Sequence, residues 1–131
     1  MASRRRPSVL VVEDDPDLAD VILTFLRDAH FETRLAKDGD QAMRLIDDQE
    51  PDVVVLDLMM PRRDGFSVLR ELRADGRIGK IPVVVVTAIF GLTERLYATE
   101  LGAADYVTKP FEMNDLLDRI RALLPQARPS G

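Results

Sequence analysis

Pro82-Val83-Val84-Val85-Val86-Thr87 is apolar at every position from Val83 to Val86. A strand with one face in water alternates apolar and polar residues, whereas one covered on both faces does not. Ser8-Val9-Leu10-Val11-Val12 and Val53-Val54-Val55-Leu56 have the same character. Thr33-Arg34-Leu35-Ala36 and Asp105-Tyr106-Val107-Thr108 are weaker runs that suit strands of the same sheet. Between the runs, apolar residues recur at spacings of three and four, the signature of helices with one buried stripe. These stripes are Leu18, Val21, Ile22, Phe25, Leu26 and Ala29; Ala42, Leu45 and Ile46; Phe66, Leu69 and Leu72; Leu96, Ala98 and Leu101; and Leu116, Leu117, Ile120, Leu123 and Leu124. Pro16, with Asp17 as N-cap or first-turn acid, suits the first helix start. Asp38-Gly39-Asp40 and Asp64-Gly65 open the second and third helices, and Gly102 closes the fourth. Strand then helix, repeated about five times, predicts an α/β fold: a doubly wound, five-stranded parallel sheet with helices on both faces and right-handed crossovers.

The 131 residues suit one domain. With 46% hydrophobic and 31% charged residues the chain has the make-up of a globular fold. No cysteine is present, which excludes a disulfide scaffold and a cysteine-based zinc site and is compatible with a cytoplasmic setting. The net charge of −5 makes the domain a poor nucleic-acid binder. Arg4-Arg5-Arg6 is the local exception, and a solvated tail is preferred there over a basic arm for an acidic partner. Val9 to Val12 is too short for a signal peptide, and no run approaches the roughly 20 apolar residues of a membrane span. The expected organisation is a disordered basic tail over residues 1–7, one domain over 8–124, and a tail or linker start over 125–131.

Ligands of open α/β sheets bind beyond the carboxyl ends of the strands, where the winding reverses. Glu13, Asp14 and Asp15 follow the first run, Asp57 follows Leu56, Thr87-Ala88 ends the fourth, and Thr108-Lys109-Pro110 ends the fifth. Crowded carboxylates repel one another and need a cation. Oxygen donors without histidine or cysteine suit Mg²⁺ or Mn²⁺. Thr87 and Lys109 supply a hydroxyl and an ammonium for the oxygens of a phosphoryl group. Aspartate is a known nucleophile for forming an acyl phosphate. Asp57 is the best candidate, because it stands alone at the end of a buried run. Singly, each residue reads as a cap or a turn, and Glu13-Asp14-Asp15 as the dipole-favoured start of a helix. Acid, acid, hydroxyl and amine at four separate strand ends point instead to one site.

Val11-Val-Glu-Asp-Asp-Pro16, Leu56-Asp-Leu-Met-Met-Pro-Arg-Arg-Asp-Gly65, Val86-Thr-Ala88 and Gly102-Ala-Ala-Asp-Tyr-Val-Thr-Lys-Pro-Phe111 closely resemble the receiver domain of two-component response regulators, in order and spacing, from about Ser8 to Leu124. The resemblance implies the flavodoxin-like (βα)5 receiver fold. It implies that Asp57 accepts a phosphoryl group from a sensor histidine kinase or phosphotransfer protein. Asp14 would bind Mg²⁺ directly and Glu13 mainly through water, with Asp57 and the backbone carbonyl of Met59 completing the protein ligands. Asp15 stands one place beyond the usual acidic pair and ranks second. Lys109, aimed by a cis bond to Pro110, would meet one phosphoryl oxygen and Thr87 another. Ala88 would leave space and offer an N–H. Tyr106 would swing inward as Thr87 moves, changing the face made by the fourth helix, fifth strand and fifth helix. Without the resemblance, Tyr106 reads as a half-buried strand aromatic with an exposed hydroxyl.

Such a domain is a signalling phosphoacceptor that catalyses its own phosphorylation and dephosphorylation, not an enzyme with an outside substrate. Its further partners would be a downstream effector or an output domain. Arg95, Asp105, Asp115 and Arg119 would carry a charged homodimer across the fourth helix, fifth strand and fifth helix. Ile89-Phe90-Gly91-Leu92 is apolar where many relatives are polar, and a tucked-in loop is preferred to a partner surface. A phosphotransferase of the haloacid dehalogenase type would need an acid where Met59 stands. A flavin- or nucleotide-binding module would need a phosphate-cradling loop where Glu13-Asp14-Asp15 stands.

Overall fold

A computed structural model describes residues 6–60, 64–89 and 91–124. Arg4, Arg5, Pro61-Arg62-Arg63, Phe90 and the tail over 125–131, all singled out above, lie outside the described residues. The element order is β1 Ser8–Val12, α1 Pro16–Asp28, β2 Glu32–Ala36, α2 Gly39–Asp48, β3 Val53–Leu56, α3 Gly65–Ala74, β4 Val83–Thr87, α4 Leu92–Leu101, β5 Asp105–Thr108 and α5 Met113–Leu123. The strands form one five-stranded sheet, β2-β1-β3-β4-β5, with every neighbouring pair parallel.

The unbroken apolar runs are explained by burial on both sides. Leu10, Val12, Val54, Leu56, Val83 and Val85 face a core closed by Ala42, Met43 and Ile46 of α2, Val68, Leu69 and Leu72 of α3, and Ala98 of α4. Val9, Val11, Val53, Val55, Val84 and Val86 face the other core, closed by Ile22, Leu23 and Leu26 of α1 and Leu116, Leu117 and Ile120 of α5. Adjacent residues of a strand point to opposite faces, so each run feeds both cores. Fully burying one such side chain contributes about 1.5–3 kcal/mol.

The caps depart from the sequence reading at one point. Asp15, not Asp17, is the N-cap of α1; its side chain accepts from the N–H groups of Asp17 and Leu18. Asp17 is the first-turn acid, and Pro16 opens the helix. Asp38 and Asp64 cap α2 and α3 through the N–H groups of Gln41 and Ser67. Gly102 ends α4 with φ 110°, the left-handed region in which glycine carries no side-chain penalty. In α4, Ala98 rather than Leu96 is buried, and Leu96 faces outward. Of the apolar loop, Ile89 packs against the core while Leu92 is 71% exposed, so the tucked-in reading holds for Ile89 and fails for Leu92. No helix among the described residues is long and apolar enough to cross a membrane.

Candidate functional site

The winding reverses between β1 and β3, which pair with Val12 opposite Leu56. That register sets the next residues, Glu13 and Asp57, side by side. The Asp57 N–H donates to the Val12 carbonyl at 3.0 Å, and the Glu13 N–H donates to the Ala36 carbonyl at 3.0 Å. Both carboxylates are therefore held by backbone, and both are buried. Asp14 is exposed at the mouth. Carboxylate oxygens of Glu13, Asp14 and Asp57 all lie within 4.8 Å of one another.

Lys109 arrives from the end of β5. Its Nζ lies 2.9 Å from Glu13 Oε1 and 3.1 Å from Asp57 Oδ2. Its own N–H donates to the Thr87 carbonyl at 2.8 Å, and its peptide bond to Pro110 is cis. Asp57 Oδ1 accepts from the Met59 N–H at 3.0 Å, and Glu13 Oε2 accepts from the Asp15 N–H at 3.1 Å. Burial pushes the Glu13 carboxyl above its ordinary range, and the nearby Asp57 charge adds to this, against lowering hydrogen bonds from Lys109 and Asp15. Burial by itself would depress Lys109, but its bonds to Glu13 and Asp57 outweigh that and raise it.

Among the described residues, three carboxylates face one ammonium, which leaves that set net negative. The donors are all oxygen, and Asp14 is open to solvent, so the set fits a hard divalent cation such as Mg²⁺.

Thr87 is fully buried at the end of β4. Its Oγ1 accepts from the Ile89 N–H at 3.3 Å, which leaves its own hydroxyl hydrogen available. Ala88 is exposed beside it, and Met59, 57% exposed, borders the same mouth. Tyr106 is buried, and its hydroxyl donates to the Ile89 carbonyl at 2.6 Å. The half-buried reading with an exposed hydroxyl is thereby corrected: Tyr106 already lies inward in this structure, ahead of the swing the resemblance implies, because Ile89 offers the carbonyl its hydroxyl needs. Burial, and then the Glu94 charge, raise its pKa. Ile89 thus accepts from the Tyr106 hydroxyl on its carbonyl and donates its N–H to Thr87.

The fold brings Glu13, Asp14, Asp57, Thr87 and Lys109 to one edge, with Ala88 and Met59 at its rim and Tyr106 one residue behind. Asp15 belongs to the α1 cap. No pattern in the residues marks Lys109 as the bridge between Glu13 and Asp57, or Ile89 as the link between Thr87 and Tyr106. On the face of α4, β5 and α5, Arg119 bridges Asp105 and Asp115 within the chain, and the Arg95 guanidinium lies 5.8 Å from the Tyr106 ring centre.

Residues 9–121 match the family model described as the response regulator receiver domain. Response regulator MprA of a Mycobacterium species is 42% identical over 121 residues, 92% of this chain and 52% of that protein. The DNA-binding dual master transcriptional regulator RpaA of Synechocystis is 39% identical over 118 residues, 90% of this chain and 49% of that protein. The chain therefore spans about half the length of the curated relatives it matches. Among solved structures, the receiver domain of Francisella response regulator 1452 is 36% identical with a TM-score of 0.84, covering 90% of this chain and 96% of that one. The BeF3-activated N-terminal receiver domain of Klebsiella pneumoniae RstA is 32% identical with a TM-score of 0.83, covering 91% of this chain and 99% of that one. Motif order, parallel topology and family match agree: this chain belongs to the receiver domain family of two-component response regulators.

Proposed function

We propose that Asp57 accepts a phosphoryl group from a phosphohistidine on a sensor histidine kinase or phosphotransfer protein. A carboxylate oxygen of Asp57 attacks phosphorus, the P–N bond breaks, and the imidazole leaves with its bonding electron pair. The observation that carries this reading is the Lys109 ammonium, 3.1 Å from Asp57 Oδ2 and also tied to Glu13. A fixed cation beside the nucleophile is already in place for the charge of an incoming phosphoryl oxygen. Thr87 donates its free hydroxyl hydrogen to a second oxygen, and the exposed Ala88 leaves room and offers its N–H. Asp14, Asp57 and the Met59 carbonyl hold Mg²⁺, with Glu13 acting mainly through water. When bound, Mg²⁺ neutralises charge on the phosphoryl oxygens.

The chain then serves as a signalling domain. Thr87 is drawn toward the phosphoryl group and carries Ile89 with it, and Ile89 carries the Tyr106 hydroxyl. This alters the face of α4, β5 and α5 for an effector, an output domain or a second copy. A homodimer there would use the charges of Arg95, Asp105, Asp115 and Arg119, with exposed Leu92 and Leu96 adding apolar surface; within the chain Arg119 already bridges Asp105 and Asp115, and Arg95 lies over the Tyr106 ring.

The test is incubation with acetyl phosphate, with and without Mg²⁺, followed by intact mass measurement. One added phosphoryl group, dependent on Mg²⁺ and lost in Asp57→Asn, is expected. No adduct, or an equal adduct in Asp57→Asn, would overturn the reading.

A further inference from the structure

Gly65 opens α3 directly after its Asp64 cap, and its φ is not in the left-handed region. Backbone freedom is therefore not what this position needs, and at a helical position alanine is intrinsically the better residue. Space is what requires glycine. A Cβ on Gly65 would lie 2.5 Å from the Asp57 carbonyl oxygen and 2.7 Å from Leu58 Cα. Both are backbone atoms of the segment that carries the proposed phosphoacceptor, so neither can swing aside as a side-chain tip would. The Gly65 N–H also donates to the Leu58 carbonyl at 3.2 Å. On the opposite side, the Asp57 N–H is fixed to Val12 of β1.

We infer that Gly65 is a positioning residue for Asp57: the bare start of α3 seats the Asp57–Leu58 peptide against β1 and so sets where the carboxylate stands. A side chain at 65 must push that peptide, or the whole start of α3, by about half an ångström merely to bring the 2.5 Å approach to 3.0 Å. The Met59 N–H, which holds Asp57 Oδ1 at 3.0 Å, belongs to the next peptide and is linked to the pushed one through Leu58 Cα, itself one of the two atoms crowded. A displacement of this size behind a reacting group is costly, because group transfer needs reacting atoms aligned closely. The inference rests on Asp57 being the phosphoacceptor and a Mg²⁺ ligand.

The experiment compares Gly65→Ala with Gly102→Ala and the parent chain. Gly102 has φ 110° and a Cβ there would meet Ile78 at 2.7 Å, so Gly102→Ala loosens the fold at the end of α4, away from the carboxylates. Each protein is unfolded in urea, titrated with Mg²⁺ alone by calorimetry, and timed for phosphorylation by acetyl phosphate. Gly65→Ala should weaken Mg²⁺ binding about tenfold or more and slow phosphorylation by at least as much. Gly102→Ala should shift the urea midpoint and leave Mg²⁺ affinity at the parent value. Parent-like Mg²⁺ affinity in a folded Gly65→Ala, or equal weakening in both variants, would overturn the inference. If Gly65→Ala does not fold, the amide resonances of the parent chain decide. The Gly65 amide should shift with that of Met59 on saturation with Mg²⁺, and a Gly65 amide that stays fixed while Met59 moves refutes the coupling. A parent chain that binds no Mg²⁺ and takes no phosphoryl group removes the reading of Asp57 itself, and this inference with it.

Discussion

Replacing Lys109 by methionine removes the ammonium while keeping most of the side chain's bulk. The lost contacts are 2.9 Å to Glu13 and 3.1 Å to Asp57, whose side chains are 3% and 5% exposed. At an effective dielectric of about 20, such separations correspond to roughly 5–6 kcal/mol of attraction each. Desolvation of the three groups cancels much of that in the intact pair. What the variant leaves behind, among the described residues, is three carboxylates without the ammonium that bridged two of them. Breaking one side of a buried pair typically costs about 3–5 kcal/mol, and Asp14, being in water, softens it here. A loss of about 3 kcal/mol at pH 7 is expected, or a fall in Tm of about 10 °C for a domain of this size.

The assay is urea unfolding followed by circular dichroism, with a chelator, with saturating Mg²⁺, and across pH. The deficit should shrink with Mg²⁺, which replaces the missing charge. It should also shrink at low pH. Glu13 has a raised pKa in the fold, so its contribution to stability grows as pH falls through that value and is lost as pH rises through it. A deficit unchanged by Mg²⁺ and by acid would refute the claim that charge crowding governs this site.

Other consequences are smaller but separate. Tyr106→Phe removes the hydroxyl bond to Ile89 and should cost about 1 kcal/mol in urea unfolding, while uncoupling amide shifts on α4 from phosphorylation. In the parent chain, Mg²⁺ at about 100 times its dissociation constant should add about 2.7 kcal/mol of stability, and Asp14→Asn should largely abolish that gain. Above the ordinary lysine range the Lys109 bridge should fail: its pKa is raised in the fold, so its stabilisation is full below the unfolded value and lost as pH climbs through the folded one. Sedimentation with Mg²⁺ and beryllofluoride should reveal a dimer that is weakened by salt and by Leu96→Glu; a dimer indifferent to salt would refute the charged interface.

The strands were legible because burial on both faces leaves its mark at every residue, as in Val83 to Val86. The edge strand β2 was weaker for the same reason: Thr33, Arg34 and Leu35 are only partly buried. Spacing misjudged α4, where small Ala98 fits against the sheet and large Leu96 does not. For α1 it left Asp17 as either N-cap or first-turn acid, and backbone geometry selects the second, with Asp15 as the cap. For the site, the strand-end rule located Glu13, Asp57, Thr87 and Lys109, since the parallel register turns ends distant in sequence into neighbours. The partners within that set were not legible. Lys109 stands 96 positions from Glu13, and only the folded β1 and β5 loops show that it reaches across. Gly65 read as a helix opener, because a steric limit set by Asp57 backbone has no local signature.

The central claim is that Asp57, and no other carboxylate of the cluster, carries the phosphoryl group. Trapping the acetyl phosphate-treated chain with borohydride reduces an acyl phosphate to an alcohol, leaving homoserine where aspartate stood. Peptide mapping should find homoserine at position 57 alone. A reduced residue at 13, 14 or 15 in its place, or none in a chain that has gained phosphate, would contradict the account.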